Sequence, residues 1–136
     1  MPKVKVVLDT NLVISSLWPG TPRRLVNLCK TGQITVLVSE PIIKEYLEVL
    51  GRFSITTEDA HEFIVLFTEP FRTMVVIPRE KINVVKTDPS DDKFLECALT
   101  GNADVIISGD RHLKELKVFK GIPILSASDF LKQYKF

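Results

Sequence analysis

Four acids stand where a folded chain would gather them: Asp9, Glu45, Asp91 and Asp110. Asp9 closes the mostly apolar run Val4-Lys5-Val6-Val7-Leu8, and Asp110 follows Val105-Ile106-Ile107-Ser108-Gly109. Each run reads as a short buried strand bounded by turn signals. Strands alternating with helices form parallel sheets, so both acids leave the carboxyl edge of one sheet, where ligands of open α/β folds bind. Carboxylates gathered there repel one another unless a cation lies between them, and an all-oxygen set suits Mg²⁺ or Mn²⁺. The pattern points to metal-dependent chemistry on phosphate esters.

Helical phase, at about 100° per residue, refines the two acids that do not end strands. Ile42, Ile43, Tyr46, Leu47, Val49 and Leu50 point into one arc. Glu45 falls beside Val49 at the edge of that stripe, and Glu48 falls outside it in solvent. A carboxylate at the edge looks along the core boundary into a cleft, or forms the helix rim paired with a lysine. In the helix after Pro89, Phe94, Leu95, Ala98 and Leu99 define the buried face. Asp91 falls in the middle of that arc, Asp92 at its margin and Glu96 outward. An unpaired charge on a buried face is costly and needs a metal or strong hydrogen bonds. The same stretch also reads as a helix start, with Asp88 as cap and Asp91 facing the helix dipole. Asp9 and Asp110, for their part, are of a type common where a strand enters a turn. What sets the four apart is that all lie at positions able to converge. Asp92 is expected at the edge of that cleft or outside it.

The elements that must position these acids alternate along the chain. Strands are expected at residues 3–8, 34–38, 73–77, 104–108 and 122–125. Helices are expected at 21–31, with Thr21 as N-cap, Pro22 at the first helical position and Gly32 beyond the end; from Ser39 to about Gly51; at 57–69 with Thr57 as N-cap; at 89–100; and as a short turn at 111–116. Ser126 caps a last helix with Asp129 as its capping-box partner, and residues 78–87 read as irregular. A length of 136 residues fits one α/β domain with a real core. A hydrophobic fraction of 45% and a charged fraction of 26% are those of an ordinary globule. The net charge of +1 does not advertise nucleic acid, although local basic groups and metals can still hold phosphates. Cys29 and Cys97 lie in apolar helical patterns and read as buried thiols, with no disulfide framework, so a cytoplasmic location is expected. The N-terminus lacks an apolar leader core and no apolar run reaches about 18 residues, so neither secretion nor membrane insertion is expected.

Val6-Val7-Leu8-Asp9-Thr10-Asn11, Glu45 in Lys-Glu-Tyr-Leu-Glu-Val-Leu, Asp88-Pro89-Ser90-Asp91-Asp92-Lys93-Phe94-Leu95 and Ile107-Ser108-Gly109-Asp110 closely resemble the PIN domain over nearly the whole chain. The likeness is strongest to the small prokaryotic VapC-like toxin components of toxin–antitoxin pairs. This resemblance implies a three-layer α/β/α fold with a central parallel sheet, as a single domain over residues 1–136. It also implies an endonucleolytic, metal-dependent ribonuclease using Mg²⁺ or Mn²⁺, in which the ion activates a water for in-line attack on phosphorus. Carried over position by position, Asp9 becomes the central metal-bridging acid, with Glu45, Asp91 and Asp110 as the other catalytic and metal-binding acids. Asp91 is preferred to Asp92 for its phase and because Ala98 follows seven residues later, as in the family's Asp-to-Ala spacing. Thr10 and Asn11 would support the site by hydrogen bonds. Ser108, where a Thr is frequent, would orient Asp110 or a water. His112 stands where an acid often occurs, a departure that removes a possible ligand.

Arg23, Arg24, Lys93 and Arg111, with Lys114, are candidates for contacts with the substrate backbone; each is otherwise a solvated surface charge. Neither His61 nor His112 has a Ser or Cys partner for nucleophilic catalysis. The partners implied are an RNA substrate, a cognate antitoxin protein and a second copy in a homodimer. The dimer has a feature of its own behind it. Phe63, Ile64, Val65, Leu66 and Phe67 are apolar over more than one stripe, so either both faces are buried within the monomer or the helix pairs across a two-fold axis. Two other classes stand beside the ribonuclease. One is a PIN module that binds RNA or protein with weak catalysis. The other is a haloacid-dehalogenase-like enzyme, which expects a second Asp two residues after the first, where this chain has Asn11. No Walker A loop or GxGxxG motif supports a nucleotide cofactor.

Overall fold

Parallel strands covered on both faces are built almost wholly of branched apolar residues, and the mostly apolar stretches Val4–Leu8, Ile34–Val38 and Val105–Ile107 become such strands. The computed structural model describes residues 3–70, 72–79 and 92–136, and of His112 the backbone alone. Among the described residues six strands form one sheet: β1 (Val4–Leu8), β2 (Ile34–Val38), β3 (Thr73–Val75), β4 (Val105–Ile107), β5 (Val118–Phe119) and β6 (Ile122–Leu125). Their order is β3-β2-β1-β4-β6-β5, and every neighbouring pair is parallel except β5 with β6. Val6 is in register with Val36 on one side and Val105 on the other, and Leu8 lies opposite Ile107. Chain order reverses at β1: β2 and β3 lie to one side, β4 and β6 to the other. The crevice beyond the carboxyl ends of β1 and β4 is therefore the topological switch point, the place where such sheets bind ligands.

Helices flank the sheet, as the expected α/β/α architecture requires. They are α1 (Thr10–Ser15), α2 (Thr21–Lys30), α3 (Glu40–Leu50), α4 (Thr57–Thr68), α5 (Asp92–Gly101), α6 (Arg111–Leu116) and α7 (Ala127–Gln133). α5 packs on β1, β2 and β4, α2 on β2, α4 on β3, and α6 and α7 on β6. The end of α5 presses close: a Cβ on Gly101 would lie 2.8 Å from Leu37 Cδ1 and 2.9 Å from Val76 Cγ2. Among the described residues no helix is long and apolar enough to cross a membrane. Cys29 and Cys97 are free and buried, and burial pushes both thiols up to about 12.

Several expected boundaries move. The α2 N-cap is Gly20, not Thr21, which is the first helical residue; α4 is capped by Thr56, whose hydroxyl accepts the Asp59 N–H at 3.0 Å, not by Thr57. The strands expected at 73–77 and 104–108 shorten to β3 and β4. Residues 89–91, expected to open α5, lie outside the described residues, as does most of 78–87. Two elements had not been expected. One is α1, and the other is β5, joined to β6 by Lys120 and Gly121 at φ 47° and 84°. Positive φ at both central residues is the signature of a tight hairpin turn, but Lys-Gly is a weak sequence signal for it. Leu47, placed in the buried arc of α3, is 59% exposed; the helix buries the narrower stripe Ile42, Tyr46 and Leu50.

Ser39 is the N-cap of α3, yet its side chain makes no cap hydrogen bond, and its fully buried hydroxyl has no partner. Removing a buried hydroxyl that satisfies nothing costs nothing in hydrogen bonding. Ser39→Ala is thus expected to match the parent in urea unfolding or exceed it by up to about 1 kcal/mol. A loss of the ~1 kcal/mol typical of cap deletion would show that the hydroxyl caps α3 in solution.

Candidate functional site

The ladder between β1 and β4 sets the site's first contact. The Asp9 N–H donates to the Ile107 carbonyl at 3.1 Å, carrying the strand pairing one step further and setting Asp9 beside Ser108. Asp9 then turns into α1 as its N-cap, with Oδ1 accepting the Leu12 N–H at 2.8 Å. Oδ2 accepts the Ser108 hydroxyl, and Ser108 Oγ in turn accepts the Asp110 N–H at 2.9 Å. Ser108 thus ties the two strand-end acids together, through the backbone of Asp110. The carboxylate of Asp110 accepts the Leu113 N–H at 3.3 Å across the first turn of α6.

Asp9 is 3% exposed. Burial raises its pKa above the ordinary carboxylate value, and the Ser108 hydroxyl and the N–H groups of Leu12, Asp110 and Gly109 offset this only in part. Beneath it, Tyr46 is fully buried and donates its hydroxyl to the Leu8 carbonyl, the residue before Asp9. Burial, then the negative charge of Asp9, drives the Tyr46 pKa well up, so the phenol stays a donor. Sequence reasoning placed Tyr46 in the core by phase but could not see that its hydroxyl props the end of β1.

Glu45, on α3, is half-buried and has both oxygens engaged. Oε2 accepts the Thr10 hydroxyl, and Oε1 lies 2.9 Å from Lys93 Nζ. The sequence had left two outcomes open, a cleft acid or a rim glutamate paired with a lysine; the geometry has features of both. Thr10 supports Glu45, not Asp9, while Asn11 is exposed on α1 and is not among the groups that hydrogen-bond the Asp9 carboxylate. Asp91 lies outside the described residues, as do Asp88, Pro89 and Ser90. Asp92, expected at the margin of the α5 arc, is instead 5% exposed. Phase weighs only a helix's own apolar residues. α5 packs on β1, β2, β4 and α3, neighbours that phase does not count. Glu48 is exposed and pairs with Arg52, as its phase predicted.

The basic candidates divide. Lys93 is at the site. Arg23 is directed elsewhere, donating from Nε to the Ser16 carbonyl at 3.1 Å and from its terminal nitrogen to the Leu17 carbonyl, where it caps the end of α1. Arg24, Arg111 and Lys114 are exposed, with Arg111 3.8 Å from Glu115. His61 is exposed on α4.

Among the described residues no three Asp, Glu, His or Cys side chains gather closely enough to form a metal-binding group. The donor chemistry nonetheless fits a hard divalent ion, since Asp9, Glu45 and Asp110 offer oxygen alone. Asp9 is a buried carboxylate held by hydrogen-bond donors, and its raised pKa marks a place where a nearby cation lowers the energy of the charged form.

The PIN domain family model matches residues 5–112. MJ1680, an uncharacterized protein of Methanocaldococcus jannaschii, is 30% identical over 120 residues, which span 85% of this chain and 76% of that protein. Two solved structures share the fold. VapBC2 from Rickettsia felis, bound to a DNA fragment from their promoter, has a TM-score of 0.57 at 11% identity, over 89% of this chain and 97% of that one. PAE2754 from Pyrobaculum aerophilum has a TM-score of 0.59 at 14% identity, over 96% of this chain and 88% of that one.

Proposed function

This chain belongs to the PIN domain family, and we propose that it is a metal-dependent ribonuclease that hydrolyses RNA internally, with Asp9, Glu45, Asp91 and Asp110 as its acids. PIN domains are generally nucleases that use divalent metals. The observation that carries the reading for this chain is Asp9: a carboxylate 3% exposed at the switch point of a parallel sheet, linked through Ser108 to the strand-end acid Asp110.

Mg²⁺ or Mn²⁺, when bound, supplies activation of a water near neutral pH and stabilisation of charge on the leaving oxygen. The chain's own residues do the rest. Asp9 is fixed on both oxygens by Leu12 N–H and the Ser108 hydroxyl, so it meets a cation in one orientation. Thr10 holds Glu45 in the same way. Lys93, Arg24, Arg111 and Lys114 are the basic candidates that remain for the phosphate backbone, because Arg23 is engaged with α1. Thr10 and Ser108 act as supports; Asn11, exposed beside Asp9, faces substrate.

The resemblance to VapC-like toxins, together with the likeness to VapBC2, supports a cognate antitoxin as partner in the cytoplasm. A second reading, a PIN module that binds RNA with little cleavage, draws on the Lys93–Glu45 ion pair and on the absence of a three-acid cluster among the described residues. One experiment separates the two. Purified protein is incubated with single-stranded RNA and Mg²⁺ or Mn²⁺, with and without EDTA. Internal cleavage that EDTA stops and excess metal restores is expected. Retention of RNA without cleavage at any metal concentration would favour the binding module, and cleavage indifferent to EDTA would sink the metal mechanism.

A further inference from the structure

We infer that Lys93 is a positioning residue that competes with the divalent ion for Glu45, and so sets how tightly the site takes that ion. The inference rests on Glu45 being a ligand, as proposed above. Lys93 is in the first turn of α5 and Glu45 in the middle of α3; the ammonium lies 2.9 Å from Oε1, with the two side chains 15% and 30% exposed. The same ammonium lies 4.8 Å from the centre of the Phe94 ring, whose face favours a cation there.

Two features separate this pair from an ordinary surface one. The Lys30–Glu62 pair is of similar length, 2.7 Å, but its glutamate is 53% exposed. Glu45 is better shielded, and its other oxygen takes the hydroxyl of Thr10, the residue after Asp9. A carboxylate with an ammonium on one oxygen and a hydroxyl on the other has no oxygen left uncontested. A dication approaching Oε1 meets a positive charge already at contact distance, and at low exposure that repulsion is poorly screened. The flexible lysine stem lets the ammonium leave without moving either helix. Divalent binding at Glu45 therefore includes the cost of displacing Lys93.

The test is Mn²⁺ affinity measured by titration calorimetry on the full chain without RNA. Lys93→Met is expected to lower the Kd about fivefold or more, and Lys93→Gln, measured beside it, guards against a folding defect in either variant. Lys93→Arg keeps the charge and is expected to stay within about twofold of the parent. In a Glu45→Gln background Lys93→Met should give no tightening. A merely structural role for Lys93 would not depend on Glu45 in this way. Unchanged or weaker Mn²⁺ binding by both uncharged variants overturns the competition, as does tightening that persists without Glu45. Should Mn²⁺ bind the parent, be lost in Asp9→Asn and ignore Lys93, the competition alone fails and the metal site stands. Should no variant bind Mn²⁺, both fail together.

Discussion

Asp9→Asn is expected to abolish Mg²⁺- or Mn²⁺-dependent RNA cleavage while leaving the protein folded and equally or more stable at neutral pH. The loss should exceed the roughly 10–100-fold that follows removal of a mere support around a metal ligand, because the substitution removes the central negative charge itself. The stability half follows from burial. Asp9 has its pKa raised in the folded protein, by desolvation first, against the Ser108 hydroxyl and three N–H groups that favour the charge. A raised folded-state value means that the native state holds this proton more tightly than the unfolded chain does. Its contribution is fully present below the ordinary carboxylate value and is lost as pH rises through the raised one. The asparagine carries no such dependence, so its advantage over the parent should be absent in acid, grow across that window and stay constant above it. Asn also keeps a carbonyl oxygen for the Leu12 N–H, and Ser108 Oγ can accept from its amide. Cleavage assays and urea unfolding across pH check both halves, with Glu48→Gln as control, since Glu48 is exposed and paired with Arg52 at the surface. Undiminished cleavage by Asp9→Asn would eliminate the mechanism; a large loss of stability at neutral pH would mean that the ionised carboxylate holds the strand ends together.

How far the sequence reached depended on whether the signal was local. Apolar runs ending in an acid predicted β1 and β4 and the carboxyl edge at which Asp9 and Asp110 stand, because buried parallel strands announce themselves by composition alone. Helical phase separated Glu48 from Glu45 for the same reason. It failed at Leu47 and Asp92, where exposure is decided by what neighbouring elements cover and not by the helix's own pattern. Cap assignments slipped by one residue at Thr21 and Thr57, since Gly20 and Thr56 can also occupy the cap and only tertiary context chooses. α1 was missed because six residues carry too little periodicity to register. The contacts that make the site specific, Thr10 with Glu45, Lys93 with Glu45 and Ser108 with Asp9, join residues far apart in the chain. A single sequence contains those residues but not their pairing. The resemblance to a family named the acids; it did not reveal that one of them shares its charge with a lysine.

Leu66→Glu and Phe67→Glu are expected to unfold the monomer, and they therefore cannot report on a dimer. The apolar run on α4 had invited a two-fold interface, but its residues do not share one fate. Phe63 is 5% exposed, Leu66 1% and Phe67 8%, and Phe67 lies 5.1 Å from the Tyr46 ring under the candidate site. A glutamate at position 66 or 67 would place an unpaired carboxylate against the core, a change in the class that costs more than about 4 kcal/mol. Within the run 63–67, only Ile64, at 58% exposure, offers a substantial apolar surface to a partner. A dimer through α4 is accordingly tested with Ile64→Glu, which should leave urea unfolding of the dilute monomer within about 0.5 kcal/mol of the parent. If α4 forms the interface, sedimentation at micromolar concentration shows a dimer for the parent and a monomer for Ile64→Glu. A parent that sediments as a monomer removes the dimer. A dimer indifferent to Ile64→Glu moves the contact to other exposed apolar groups, of which Met74 and Val75 on the edge strand β3 are 44% and 62% exposed. A folded, stable Leu66→Glu protein would contradict the core packing described for α4 and reopen that helix as a surface.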